Sequence, residues 1–357
     1  MKSLKVKISL NQIRRAPPHS TDLAFAGGGG EGRSGIRNVI GLGHFDIASN
    51  SLSDQLVARL ETGSDLPYRM AVHPGGDGII CAMPNSCRWF EWDGNNREQV
   101  NELGLMTSER MLTHLEDVGQ QLALAFNNDG SALAVGGEDG TLRVFKWPSM
   151  EMILNEPKAH TTVKDLHFSS DGRFLVSLGS GGPCRVWDVT SSAVLASLSK
   201  ENDEIFSSCR FTQTDDNTQV LCIAAVTGKG GSILTWNTNT WTRIGTKPIV
   251  RDPICAFNVS ADGKFLACGT IQGDILIVSS TNMRIQSMIR KAHLGIVTAL
   301  RFSDDSRALA SVSMDGSARV TLIEDKKKSG ELSLWIMAFI ILLAIVAYFL
   351  KFEGLDK

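Results

Sequence analysis

A unit of roughly 44 residues recurs along the chain, and that period constrains the fold more than any other feature of the sequence. Four copies stand out: FNNDGSALAVGGEDG from Phe126, FSSDGRFLVSLGSGG from Phe168, FNVSADGKFLACGTIQG from Phe257 and FSDDSRALASVSMDG from Phe302. Looser copies start at Phe211 and Val72, and Phe25 can head a seventh. Steps of 42, 43, 46 and 45 residues lead from Phe126 through Phe168, Phe211 and Phe257 to Phe302. Each unit alternates apolar residues with period two, as strands do, around turns that carry Asp-Gly at 129, 139, 171, 262 and 315. A third strand follows in Arg143–Phe145, Arg185–Asp188 and Arg319–Thr321. Such a period predicts an all-β, seven-bladed propeller, because seven units need about 308 residues and residues 1–325 are available. The last unit runs out of chain near Ile323 after three strands. Leu4, Val6, Ile8 and Leu10 alternate with polar residues, so strand 4–10 is expected to supply the missing outer strand and close the ring.

With Ala159-His160 before one unit and Trp187-Asp188 at its third strand, the chain resembles the WD40 family. That resemblance implies structural work for His114, His160 and His293, each bonded to an Asp in a blade turn such as Asp139 or Asp315.

Charge and residue types exclude several functions. The formal net charge is −2, which gives no general attraction to nucleic acid, and none is expected as a partner. Seven scattered cysteines without a Cys-x-x-Cys pair read as reduced, buried thiols, not as a disulfide framework or zinc site. No Ser/His/Asp set, His-Glu-x-x-His motif or kinase signature appears, so a hydrolase or kinase is unsupported.

Residues 332–350, LSLWIMAFIILLAIVAYFL, form an apolar run long enough to span a bilayer as one helix. Residues 326–331 are a linker opened by Lys326, Lys327 and Lys328, and residues 351–357 form a short tail. The positive-inside rule then puts the propeller in the cytosol and the tail in the lumen. The modest span length points to a thin membrane such as the endoplasmic reticulum.

Between Phe25 and Phe45 lies AGGGGEGRSGIRNVIGLGH, a stretch too glycine-rich for a routine blade turn. Its Gly-x-Gly-x-x-Gly spacing lacks the following helix and the acidic residue of a dinucleotide site, and no Lys-Ser/Thr follows as in a phosphate loop. Gly27, Gly28, Gly29, Gly30, Gly32 and Gly35 free the backbone, while Ile36 offers an apolar tip and Asn38 an amide. Converging carbonyls with an amide oxygen suit a weakly held hard cation. Here GGGGEGRSGIRN resembles the loop of one WD40 branch, the membrane-anchored exchange factors of the endoplasmic reticulum, the prolactin regulatory element-binding protein family. The resemblance implies a guanine nucleotide-exchange factor that activates the small GTPase of the COPII coat and starts vesicle budding toward the Golgi. It further implies that Ile36 and Asn38 carry exchange and that a potassium ion is held by Gly30, Glu31 and Asn38. The competing expectation is a non-catalytic adaptor that helps a membrane cargo such as a transporter leave the endoplasmic reticulum.

Overall fold

The computed structural model describes residues 4–5, 10–15, 22–32, 35–46, 48–92, 104–201, 203–213, 218–323 and 342. Seven antiparallel sheets follow one another as the blades of a propeller. Blade 1 comprises Leu10–Arg15, Asp22–Gly27, Asn38–Asp46 and Ala58–Gly63, with Ser51–Leu52 paired to the end of the third strand. Blade 2 runs from Arg69 to Thr107, and blades 3 to 6 begin at Gln121, Val163, Ile205 and Ile254. Within each, strands run from innermost to outermost in chain order. Blade 7 draws Val297–Phe302, Ala308–Ser313 and Ser317–Leu322 from the C-terminal side, and its outer strand is Leu4–Lys5. Leu4 faces Ala318 and Lys5 faces Ser317 in antiparallel register.

The innermost strands contact one another in sequence, and Leu10–Arg15 touches the first strands of both blade 2 and blade 7. A sheet of four strands has two exposed edges, and a closed ring hides the inner ones. The core is correspondingly divided into wedges between neighbouring blades. Trp89, Phe145 and Trp147 join blades 2 and 3, Val144, Phe168 and Trp187 join blades 3 and 4, and Phe25 with Val312 joins blade 1 to blade 7. Burying large rings at each wedge supplies the apolar area that fixes blade to blade.

Two features correct the sequence reading. Phe25 lies on the second strand of blade 1, not at the head of a repeat; the innermost strand is Leu10–Arg15, whose sequence LNQIRR lacks the apolar alternation of its counterparts. Leu10 accordingly belongs to blade 1, and the described part of the closing strand is Leu4–Lys5.

The histidines meet the expectation only in part. His160 Nε2 lies 2.8 Å from Ser177 Oγ, which accepts a bond of the same length from Trp187 Nε1. His293 is flanked by Ser311 Oγ at 2.9 Å and Ser317 Oγ at 2.6 Å, and it keeps the expected Asp315, whose Oδ1 lies 4.0 Å from Nδ1 and accepts from Ser317 Oγ. Exposed His114 stacks on Phe145 and does not bond Asp139, whose carboxylate caps Thr141 instead. Burial pushes His160 and His293 down to about 4, so both serve as neutral hydrogen-bonding groups.

All seven cysteines are free, and six are buried, with Cys255 partly so. The compact unit ends at Leu322. The expected linker 326–331, span 332–350 and tail 351–357 lie outside the described residues apart from Leu342. Among the described residues no helix is long and apolar enough to cross a membrane.

Candidate functional site

The glycine-rich segment is the connection between the second and third strands of blade 1. Gly27 pairs with Val39, and the chain between them leaves the sheet as a loop. Buried apolar residues anchor both stems: Ala24, Phe25 and Ala26 on one side, Val39, Ile40 and Leu42 on the other. The loop therefore rises from a rigid base.

Asn38 organises that base. Its Oδ1 accepts from Gly30 N–H at 2.9 Å, and its Nδ2 donates toward the carbonyl oxygens of Gly63 and Ser64 at 3.0 Å and of Gly30 at 3.3 Å. One side chain thus closes the loop onto itself and ties it to the turn after the outer strand. Its exposure is 3%, so the expected exposed loop amide is instead a buried one. Gly28 makes room for it: a Cβ there would lie 2.2 Å from Asn38 Oδ1 and 2.6 Å from Asn38 Cα. Gly30 and Gly35 have φ of +74° and +68°, in the left-handed region that costs L side chains strain.

The turn that receives the amide is itself fixed. Thr62 Oγ1 donates to Asp65 O at 2.6 Å, and Asp65 pairs with Arg88 of blade 2. Further out, Arg37 and Arg59 both pair with Glu61, and the Arg37 bond, then Arg59, lowers the Glu61 carboxyl below its ordinary value. Above this frame Glu31, Gly32, Gly35, Ile36 and Arg37 are exposed, and Ile36 is 38% exposed. The arrangement offers a partner a braced loop with an apolar tip.

Of the residues expected to hold a cation, the structure brings Gly30 and Asn38 together and leaves Glu31 exposed on the loop. Three carbonyl oxygens, from Gly30, Gly63 and Ser64, converge on the Asn38 amide. An NH2 group has two hydrogens for these three acceptors. Backbone carbonyl oxygens are the donor type a monovalent hard cation takes, and here all three accept from the Asn38 amide. Gly63 and Ser64 escaped the sequence reading because they lie 25 and 26 positions beyond Asn38; the run Thr62–Asp65 signals a turn but not what it receives.

Similarity to known proteins bears on the repeats and on the family. The WD domain, G-beta repeat family matches residues 110–146, 152–188 and 284–321. The second and third matches each join the outer strand of one blade to three strands of the next, so the sequence repeat is offset from the blade by one strand. SEC12-like protein 2 of Arabidopsis thaliana is 59% identical over 83% of this chain and 75% of its own length. SEC12-like protein 1 of the same plant is 31% identical over 88% of this chain and 78% of its own. The mouse protein named guanine nucleotide-exchange factor SEC12 is 24% identical over 88% of each chain.

Proposed function

The chain belongs to the SEC12-like family of WD-repeat proteins, and from that premise we propose that it is a guanine nucleotide-exchange factor for the small GTPase of the COPII coat. Relatives bearing the SEC12 exchange-factor name in mouse and Candida glabrata support the activity. The observation that carries the reading is the braced loop of blade 1, in which Asn38 fixes the base and Ile36 stands exposed above it.

Exchange of this kind makes and breaks no covalent bond. A partner that binds the nucleotide-free GTPase more tightly than the nucleotide-bound form weakens nucleotide binding by the same factor. Preorganisation matters because a loop already ordered loses little entropy on docking. Ile36 is the residue assigned to contact the GTPase, by burying apolar surface. Asn38 is a positioning residue, since its amide is spent on Gly30, Gly63 and Ser64.

A potassium ion at the base of the loop would be held by the carbonyl oxygens of Gly30, Gly63 and Ser64, in place of the Asn38 amide hydrogens they accept here. The ion would stiffen the loop and leave the exchange step to the side chains. Residues 332–350 are proposed to anchor the chain in the endoplasmic reticulum membrane as a single span, with Lys326–Lys328 keeping the propeller in the cytosol.

Release of labelled GDP from the COPII GTPase on added full chain tests the function. Release should accelerate with protein concentration and run faster in potassium than in choline buffer. No acceleration in either buffer would reject exchange and leave the adaptor reading.

A further inference from the structure

Two adjoining cavities of about 380 and 320 Å³ lie along the propeller axis, lined by the innermost strands, and share Leu124, Asp165 and Arg210. The smaller is lined by the first residues of those strands, so it lies toward the face that carries the glycine loop. Among the described residues its charges do not balance: Arg69, Lys164 and Arg210 line it against the one carboxylate of Asp165. The larger cavity adds Arg301 and Asp304, which cancel.

Asp165 is committed. Its Oδ2 accepts from Arg210 at 2.6 Å and from the Cys209 backbone N–H at 2.9 Å. Arg69 lacks a carboxylate of its own; its Nε donates to Leu122 O at 2.7 Å, and its terminal nitrogens have no hydrogen-bond partner among the described residues. Arg210 uses one terminal nitrogen, on Asp165 and Cys209 O, leaving its other guanidinium nitrogens likewise open. Burial lowers the Arg69 value, Asp165 offsets part of that, and the neighbouring Arg210 adds to it. A guanidinium does not shed its proton in a protein, so burial leaves Arg69 at a cost that an anion would offset, while Asp165 already favours the charged form of Arg210.

We propose that this end of the channel is a binding site for a small phosphate dianion, seated between Arg69 and Arg210 with Lys164 at its rim. The surplus of two positive charges matches a phosphate group, which carries −1.5 to −2 near neutral pH, roughly. The open guanidinium nitrogens supply the paired N–H donors that phosphate oxygens accept. Ser207 and Ser208 line the same space, the Ser207 hydroxyl donating to Ala224 O at 3.0 Å. The site is separate from the exchange loop and does not depend on the exchange function.

Calorimetric titration of the full chain with sodium phosphate at fixed ionic strength tests this. Saturable binding of one phosphate per chain is expected, weakened about tenfold or more in Arg69→Gln and severalfold in Lys164→Gln, with chloride unable to compete. Because Lys164 is exposed, its variant keeps the fold even if Arg69→Gln does not. A phosphomonoester binding more tightly than inorganic phosphate would identify the ligand as an esterified metabolite; equal affinities would identify phosphate itself. Absence of saturable binding at millimolar phosphate, or identical affinity in wild type and Lys164→Gln with a folded Arg69→Gln, overturns the proposal.

Discussion

Blades 1 and 3 solve the same connection, from second strand to third, in opposite ways. In blade 3 the turn is Glu138 to Thr141. Asp139 closes it locally, accepting from Thr141 N–H at 3.0 Å and Thr141 Oγ1 at 2.7 Å, while Gly140 takes φ of +82°. In blade 1 the connection is longer, and the polar residue that closes it reaches 8 residues back to Gly30 and 25 and 26 forward to Gly63 and Ser64. A local Asp turn holds two strands together and ends there. Asn38 closes an excursion that carries the exposed residues Glu31, Ile36 and Arg37.

Gly28→Ala should have the largest joint effect. Its Cβ would meet Asn38 Cα at 2.6 Å, a backbone atom that cannot swing aside. Loss of about 1–3 kcal/mol in stability is expected from overpacking, with exchange reduced about a hundredfold as the loop leaves its position; denaturant melts and GDP-release rates measure the two. Asn38→Ala follows. Leaving its partners without the amide should cost about 1–3 kcal/mol and slow exchange roughly ten- to a hundredfold. A variant that melts like wild type would show that Asn38 does not brace the loop. Asp139→Ala in blade 3 is the contrasting case: a stability loss of about 1 kcal/mol with exchange at the wild-type rate.

Acid should act on the blades before the loop. His160 and His293 are held near 4 by burial, against an ordinary 6.5. In the unfolded chain they take up protons as pH falls through 6.5, while the folded chain resists until about 4. Stability therefore declines across that window. Melting midpoints should fall from pH 7 toward 4, and His293→Asn should flatten the decline. Smallest of all should be Arg37→Gln, which removes an exposed ion pair with Glu61. A change within about 0.5 kcal/mol is expected.

What the sequence revealed, and what it hid, follows the range of the interactions. Asp-Gly turns at 129, 171 and 262 and at 139 and 315 are local, and their glycines all adopt positive φ, so period and turn chemistry announced the blades. Leu10–Arg15 was hidden because LNQIRR, with apolar residues only at 10 and 13, carries no period-two alternation to read. Ile36 stood out as an apolar residue among glycines, and it is exposed. The burial of Asn38 was invisible, since its partners belong to the turn after another strand and nothing in GIRN marks them. Long-range closure of a loop is written in the fold, not in the neighbouring residues.

The central claim is that blade 1 holds its loop rigid so that Ile36 can engage a nucleotide-free GTPase. GDP release driven by Ile36→Asp, compared with wild type at equal concentration and with melting curves on both proteins, tests it most directly. Because Ile36 is exposed, the melts should coincide. A charge forced into an apolar contact should cost about 2–3 kcal/mol, which slows release roughly a hundredfold. Release at the wild-type rate from a protein that melts like wild type would contradict the account.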